Sequence, residues 1–189
     1  MKDRKHYPQE LLDQIPSGFA GELELLQYDY TEKYHEVCAG LNALTELHPD
    51  CSEASEWKAK LTESQASFHS CLQSCVEQLV ALEEKVRIGQ LSLANEQVCR
   101  DVSKTEAQVL SMLTELQRLN SEALKPVFSL NLPALIKTLP DAEKKLLRDA
   151  VNRQTENTQY FSNELQHLAI MLKERNKIIT HPLDENHPE

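Results

Sequence analysis

Glycine is scarce in this chain of 189 residues: only Gly18, Gly21, Gly40 and Gly89 occur. Small sheets and tight hairpins rely on glycine for their turns, so so few glycines weigh against a β-rich fold. They also exclude the phosphate-cradling loops GxGxxG and GxxxxGK[ST], neither of which can be built here. No GxSxG nucleophile elbow occurs either. Aromatic residues make up only 5%. No apolar run approaches the ~20 residues that span a bilayer, and the opening MKDRKHYPQE lacks the apolar core of a secretory signal. The five cysteines, Cys38, Cys51, Cys71, Cys75 and Cys99, form no CxxC pair. An odd count without that motif reads as reduced thiols in the cytosol or nucleus.

Positive charge is also in deficit. The net charge is −10, and the densest basic stretches, residues 2–5 and 173–177, have acidic neighbours. Nucleic acid and anionic membrane would repel such a chain, so neither is expected as a direct partner.

What is present is helical patterning, with hydrophobic residues at 40% and charged residues at 26%. Between Pro8 and Pro16, Leu11, Leu12 and Ile15 suggest a short amphipathic turn within a flexible or docking arm over 1–18. The coiled-coil helical domain is expected over 19–180. Its first helix, about 19–48, repeats Leu23, Leu26, Tyr30, Lys33, Val37, Gly40, Leu44 and Leu47 at a and d, with Tyr34 and Leu41 beside them. His48-Pro49 ends it.

Residues 53–124 carry two seams. One includes Leu61, Gln65, Phe68, Leu72, Cys75, Leu79 and Leu82; the other includes Asn95, Val102, Thr105, Val109, Met112, Leu116, Leu119 and Ala123. Their phases differ by two residues, about 200° around a helix. Either one rod of about 105 Å changes its sticky face near Gly89, or the chain breaks there into an antiparallel hairpin. With no proline between Pro49 and Pro126, the continuous rod is the expectation. A short proline-bounded corner at 131–139 follows, with Asn131 and Thr138 as candidate caps. A last helix over 141–180 then presents Leu147, Val151, Gln154, Thr158, Phe161, Leu165, Leu168 and Leu172. The tail, 181–189, reads as disordered.

The sharpest enzyme-like signal is a pair of Glu-x-x-His motifs, Glu32/His35 and Glu164/His167. Di-iron bundles use two such motifs on inward faces. In these heptads, however, they fall on the wet side or its flank, so no metal site is expected. Cys71 and Cys75, with His69 nearby, lack the four ligands of a zinc site. Neither a catalytic constellation nor a cofactor is expected.

The polar residues Lys33, Gln65, Asn95, Gln154, Thr158 and Arg175 sit on seams where leucine would be ordinary. Such residues specify register and partner at some cost in stability. Gln154 and Thr158 occupy adjacent layers.

The expected fold is therefore all-α, with three or four long coiled-coil rods and one short corner. Unmatched stripe on the long middle rod would require other coiled-coil subunits, a hetero-oligomer before a homodimer. The partner-binding seam comprises Leu61, Phe68, Leu72, Leu79, Leu82, Val102, Val109, Leu116, Leu147, Val151, Gln154, Thr158, Phe161, Leu165, Leu168 and Leu172. In size, acidity and pattern the chain looks like small subunits of spindle, kinetochore or centrosome assemblies. That likeness implies a non-catalytic cytoskeletal or microtubule-associated scaffold for cell division. The alternatives are a subunit of a vesicle-tethering or organelle-positioning complex, and a self-contained helical bundle binding a metal or small ligand.

Overall fold

Proline and glycine punctuate the chain into helices that a computed structural model, describing residues 6–90 and 96–180, shows folding back on one another. Their order is α1 (Gln9–Leu12), α2 (Gly18–Leu47), α3 (Ser52–Gln90), α4 (Glu96–Glu122), α5 (Lys125–Ser129), α6 (Leu132–Thr138) and α7 (Asp141–Thr180). The all-α expectation holds. Residues 1–5, residues 91–95 with the seam position Asn95, and the tail at 181–189 lie outside the described residues.

The expectation of long coiled-coil rods is overturned. Four helices form a closed square: α2 packs on α3 and α7, and α4 packs on α3 and α7. Neighbours run antiparallel. Lys85 near the end of α3 donates to Thr105 near the start of α4 (2.9 Å), while Cys71, a helical stretch earlier, lies 3.9 Å from the Met112 carbonyl. Arg153 of α7 pairs with Glu36 of α2, and Asn157 donates to the Lys33 carbonyl, so α7 descends as α2 rises. This is an up-down-up-down bundle.

The continuous rod over 53–124 is accordingly two helices of 39 and 27 residues, packed side by side. The 200° offset between its seams needs no change of face along one rod. Two separate helices simply carry independent phases. The longest helix, α7, has 40 residues, about 60 Å, and it lies along α2 and α4.

Seams that were to bind other subunits line this chain's own interior. Leu61, Phe68, Leu72, Leu79, Leu82, Val102, Val109, Leu116, Leu147, Gln154, Phe161, Leu165, Leu168 and Leu172 are all buried; Val151 and Thr158 are half-buried. No unmatched stripe remains among the described residues to call for coiled-coil partners. The scaffold reading for cytoskeleton, microtubule and cell division loses its support, as does the tethering-complex reading. The physical reason is simple. A stripe must be buried against another helix, and an adjacent segment of the same chain satisfies it as well as another subunit does.

The core has two parts. One gathers Tyr30, Phe68 and Phe161 with leucines and valines of α2, α3, α4 and α7. Tyr30 stacks on Phe68 at 3.9 Å, nearly coplanar, and Phe161 tilts against Tyr30 at 4.9 Å. The other, at the corner end, surrounds the fully buried Trp57 with Val37, Leu41, Leu44, Leu61, Val127, Leu132, Leu139 and Leu147. Short α5 and α6 carry the chain from α4 to α7 over this end. Asn131 precedes α6 in the left-handed region (φ 51°), but its side chain makes no capping bond. Thr138 donates to the Leu135 carbonyl instead of capping α7.

At the opposite end Glu83 of α3 performs a capping role across the fold. Its carboxylate accepts the Phe19 N–H (3.1 Å) at the first turn of α2, and Arg175 of α7 pairs with the same oxygen at 3.3 Å. Arg175 also lies 5.4 Å over the Phe19 ring. One seam cation thereby ties α2, α3 and α7 together.

Candidate functional site

Between the two apolar clusters lies a layer in which every long helix contributes a polar group. α2 supplies Lys33 and Tyr34, α3 supplies Thr62, α4 supplies Asn120, and α7 supplies Gln154, Asn157 and Thr158. Three of the seam residues singled out for polarity, Lys33, Gln154 and Thr158, therefore meet at one height. Arg175 lies at the far end with Glu83, Gln65 is half-buried, and Asn95 is outside the described residues.

Hydrogen bonds hold the layer. The Asn120 amide, only 1% exposed, donates to the Thr158 carbonyl (2.8 Å) and to the Ser162 hydroxyl (3.1 Å). Gln154, also buried, reaches the Thr158 hydroxyl at 3.5 Å, and that hydroxyl donates to the Gln154 carbonyl at 2.9 Å. The Tyr34 and Thr62 hydroxyls are 2.8 Å apart. Buried amides left unbonded would cost on the order of 1–3 kcal/mol each, so these contacts account for how the bundle tolerates them.

A cavity of about 10 Å3 opens in this layer, lined by Tyr30, Lys33, Tyr34, Leu61, Asn120, Gln154, Asn157 and Phe161. That volume holds roughly one water. A second void of the same size, between Phe19, Leu23, Leu79, Leu113, Leu168 and Leu172, is wholly apolar and offers a polar molecule no partner. Lys33 is half-buried beside the polar cavity, its ammonium 5.3 Å over the Tyr160 ring. Among the described residues no carboxylate forms an ion pair with it.

On the outer side of Lys33 the layer continues into a tyrosine–carboxylate cluster. Tyr160 donates to Asp29 at 2.9 Å, and Tyr7, from the segment before α1, donates to the same Asp29 oxygen at 3.1 Å. Tyr7 also meets Tyr28 edge-on, with centroids 5.8 Å apart.

The acid–base character of the site is that of neutral donors. Burial pushes the Tyr34 phenol up to about 12, reinforced by its contact with Cys38 and partly offset by Thr62. Burial also raises Tyr30. Tyr7 and Tyr160 are raised by burial first and then by the Asp29 carboxylate they share. The Cys75 thiol is pushed up to about 12 by burial, and Cys71 is raised for the same reason. Near neutral pH these groups are hydroxyls and thiols, poorly suited to nucleophilic attack.

The Glu-x-x-His pairs do not meet. Glu32, His35 and His167 are exposed and Glu164 is half-buried. No group of three His, Cys, Asp or Glu side chains is placed to hold a metal among the described residues. His69 bonds Gln27 on the surface, while Cys75 is fully buried.

Asn120, Asn157 and the Tyr7–Asp29–Tyr160 cluster escaped the sequence reading. A strict heptad placed Met112 and Leu119 on the seam of α4, yet the deeply buried positions are Leu113 and Asn120. Met112 and Leu119 are themselves half-buried against that core, so the buried stripe of α4 is wider than a strict a/d seam and takes in the next position around the helix. Comparison with family models, curated proteins and solved structures returns no significant match. The site stands on its geometry.

Proposed function

We propose that this chain is a self-contained, non-catalytic helical bundle that binds a small polar ligand at the layer between its two cores. The observation that carries this reading is the convergence of Lys33, Tyr34, Asn120, Gln154 and Asn157 on one cavity. Ligand sites in bundles are built from side chains on facing helices, and a few convergent polar groups in apolar walls give such sites their selectivity. The cavity's size restricts the buried part of the ligand to about one water-sized atom, such as a single oxygen of a carboxylate or amide, with the remainder on the open flank beside Lys33. The Lys33 ammonium, lacking an ion pair among the described residues, favours an anionic group.

A catalytic role has little to recommend it in this layer, because burial holds the Tyr30 and Tyr34 phenols protonated. No helix among the described residues is long and apolar enough to cross a membrane. We place the protein in the cytosol or nucleus on the strength of its five unpaired cysteines, one of them, Cys99, exposed.

The test is nuclear magnetic resonance titration of the 15N-labelled protein with acetate and acetamide as probes. Saturable shifts should concentrate in the side-chain amides of Asn120, Gln154 and Asn157, and Lys33→Met should abolish the response to acetate while sparing acetamide. Shifts scattered over the surface, or none in these amides, would refute the ligand site.

A further inference from the structure

The tyrosine–carboxylate cluster differs from the polar layer in one respect: one of its members, Tyr7, belongs to a segment outside the four packed helices. Tyr7 precedes α1, a helix of four residues that buries none of its side chains. The arm joins the bundle through Pro16, Ser17 and Gly18, the last at φ +77°. The receiving side is rigid by contrast, since Tyr28 and Asp29 belong to α2 and Tyr160 to α7, two helices packed along their lengths.

We propose that the notch formed by Tyr28, Asp29 and Tyr160 is a docking site for a tyrosine side chain of a partner polypeptide, and that Tyr7 occupies it in the free protein. The notch has the two elements a tyrosine needs. The Tyr28 ring meets the incoming ring edge-on, and Asp29 accepts the incoming hydroxyl at 3.1 Å. Tyr160 donates to the same oxygen at 2.9 Å, which fixes the carboxylate in place.

Charge selects the sequence around the tyrosine. Glu22, Asp29 and Glu164 all lie close enough to act on the Tyr7 hydroxyl. The stretch preceding Tyr7 carries Lys2, Arg4 and Lys5 against a single acid, Asp3. A partner segment should likewise present its tyrosine in a basic stretch. Because α1 leaves none of its side chains fully buried, a partner with a larger footprint displaces it. The arm acts as an intramolecular competitor that sets the threshold for binding.

The test uses the full chain with Tyr7→Ala and a fluorescein-labelled peptide of sequence KDRKHYPQELLD, read by fluorescence anisotropy. The peptide should bind the variant at least about 10-fold more tightly than the wild type, whose notch is filled. Replacing the peptide's tyrosine by phenylalanine should weaken binding by about 10-fold, the loss expected for one hydrogen bond to a charged acceptor. Asp29→Ala, added to the Tyr7→Ala chain, should remove that difference. Equal affinity of wild type and variant would show that Tyr7 does not occlude the notch. Equal affinity of the tyrosine and phenylalanine peptides, or no binding to either protein, would likewise overturn the proposal. Tyr7→Phe provides the check on folding: it keeps the ring on Tyr28, and its affinity for the peptide should fall between the other two.

Discussion

A single buried amide illustrates what the polar layer costs and what it secures. Asn120 is 1% exposed and gives both of its protons to α7, through the Thr158 carbonyl and the Ser162 hydroxyl. Asn120→Ala should lower stability to urea by about 1–3 kcal/mol, because both α7 groups lose a buried donor. Asn120→Asp, which cannot donate, should cost at least as much, and an unchanged urea midpoint in either variant would show that the layer is not structural. The raised phenols and thiol set a pH dependence. A group whose pKa is higher folded than unfolded stabilises the fold below its ordinary value, and that contribution is lost as pH climbs. For Cys75 the climb runs from 9.0 to about 12, and for Tyr34 from 10.0 to about 12, with Tyr30 raised as well. Their contribution should therefore hold up to about pH 9 and decline above it, which urea midpoints on either side of that pH would reveal. At this scale the sequence was half legible. Lys33, Gln154 and Thr158 stood out as polar residues on apolar seams. Asp29 and its two tyrosines, 22 and 131 residues away, left no local trace, because nothing in spacing joins positions so distant.

Helices supply the next level of explanation. Gly40 lies inside α2 where that helix approaches Ala150 of α7, and a Cβ added there would sit 3.7 Å from the Ala150 Cβ. That is ordinary contact, so Gly40→Ala should stabilise the protein by about 0.5–1 kcal/mol through reduced backbone entropy of the unfolded chain. A lower melting temperature for this variant would mean that α2 and α7 lie closer than described. Glu83→Ala removes a cap from α2 and the ion pair of Arg175 together, and about 1 kcal/mol should be lost; retention of full stability would reduce that junction to a surface contact. Leu165 is fully buried, so Leu165→Asp should exceed the about 2–5 kcal/mol of a leucine-to-alanine deletion and unfold the isolated chain. Helix positions were readable because proline and the apolar period mark them. The break between α3 and α4 was less so: α3 runs past Gly89 to Gln90, and no proline announces the turn. The two seams out of phase were the true signal of a hairpin, and they read equally well as a rod with two faces.

For the whole molecule the decisive question is where each stripe finds its cover. Heptad-like spacing is common to a coiled-coil subunit and to a bundle closed on itself, since both bury a and d positions against a neighbouring helix. Nothing in the periodicity says whether that neighbour is another chain. Here the square of α2, α3, α4 and α7 supplies it internally, the aromatic trio and Trp57 fill the two cores, and polar residues sort into the layer between them. The hairpin of α3 and α4 separates the two architectures most sharply. Spin labels introduced as non-natural amino acids at Ser67 and Thr114, both exposed, would leave the native cysteines untouched, and labelled protein diluted into unlabelled protein would report distances within one chain. Pulsed electron resonance should find the labels within about 25 Å, the separation of packed antiparallel helices plus their linkers. A distance near 70 Å, the rise of one continuous helix between those positions, would contradict the closed bundle.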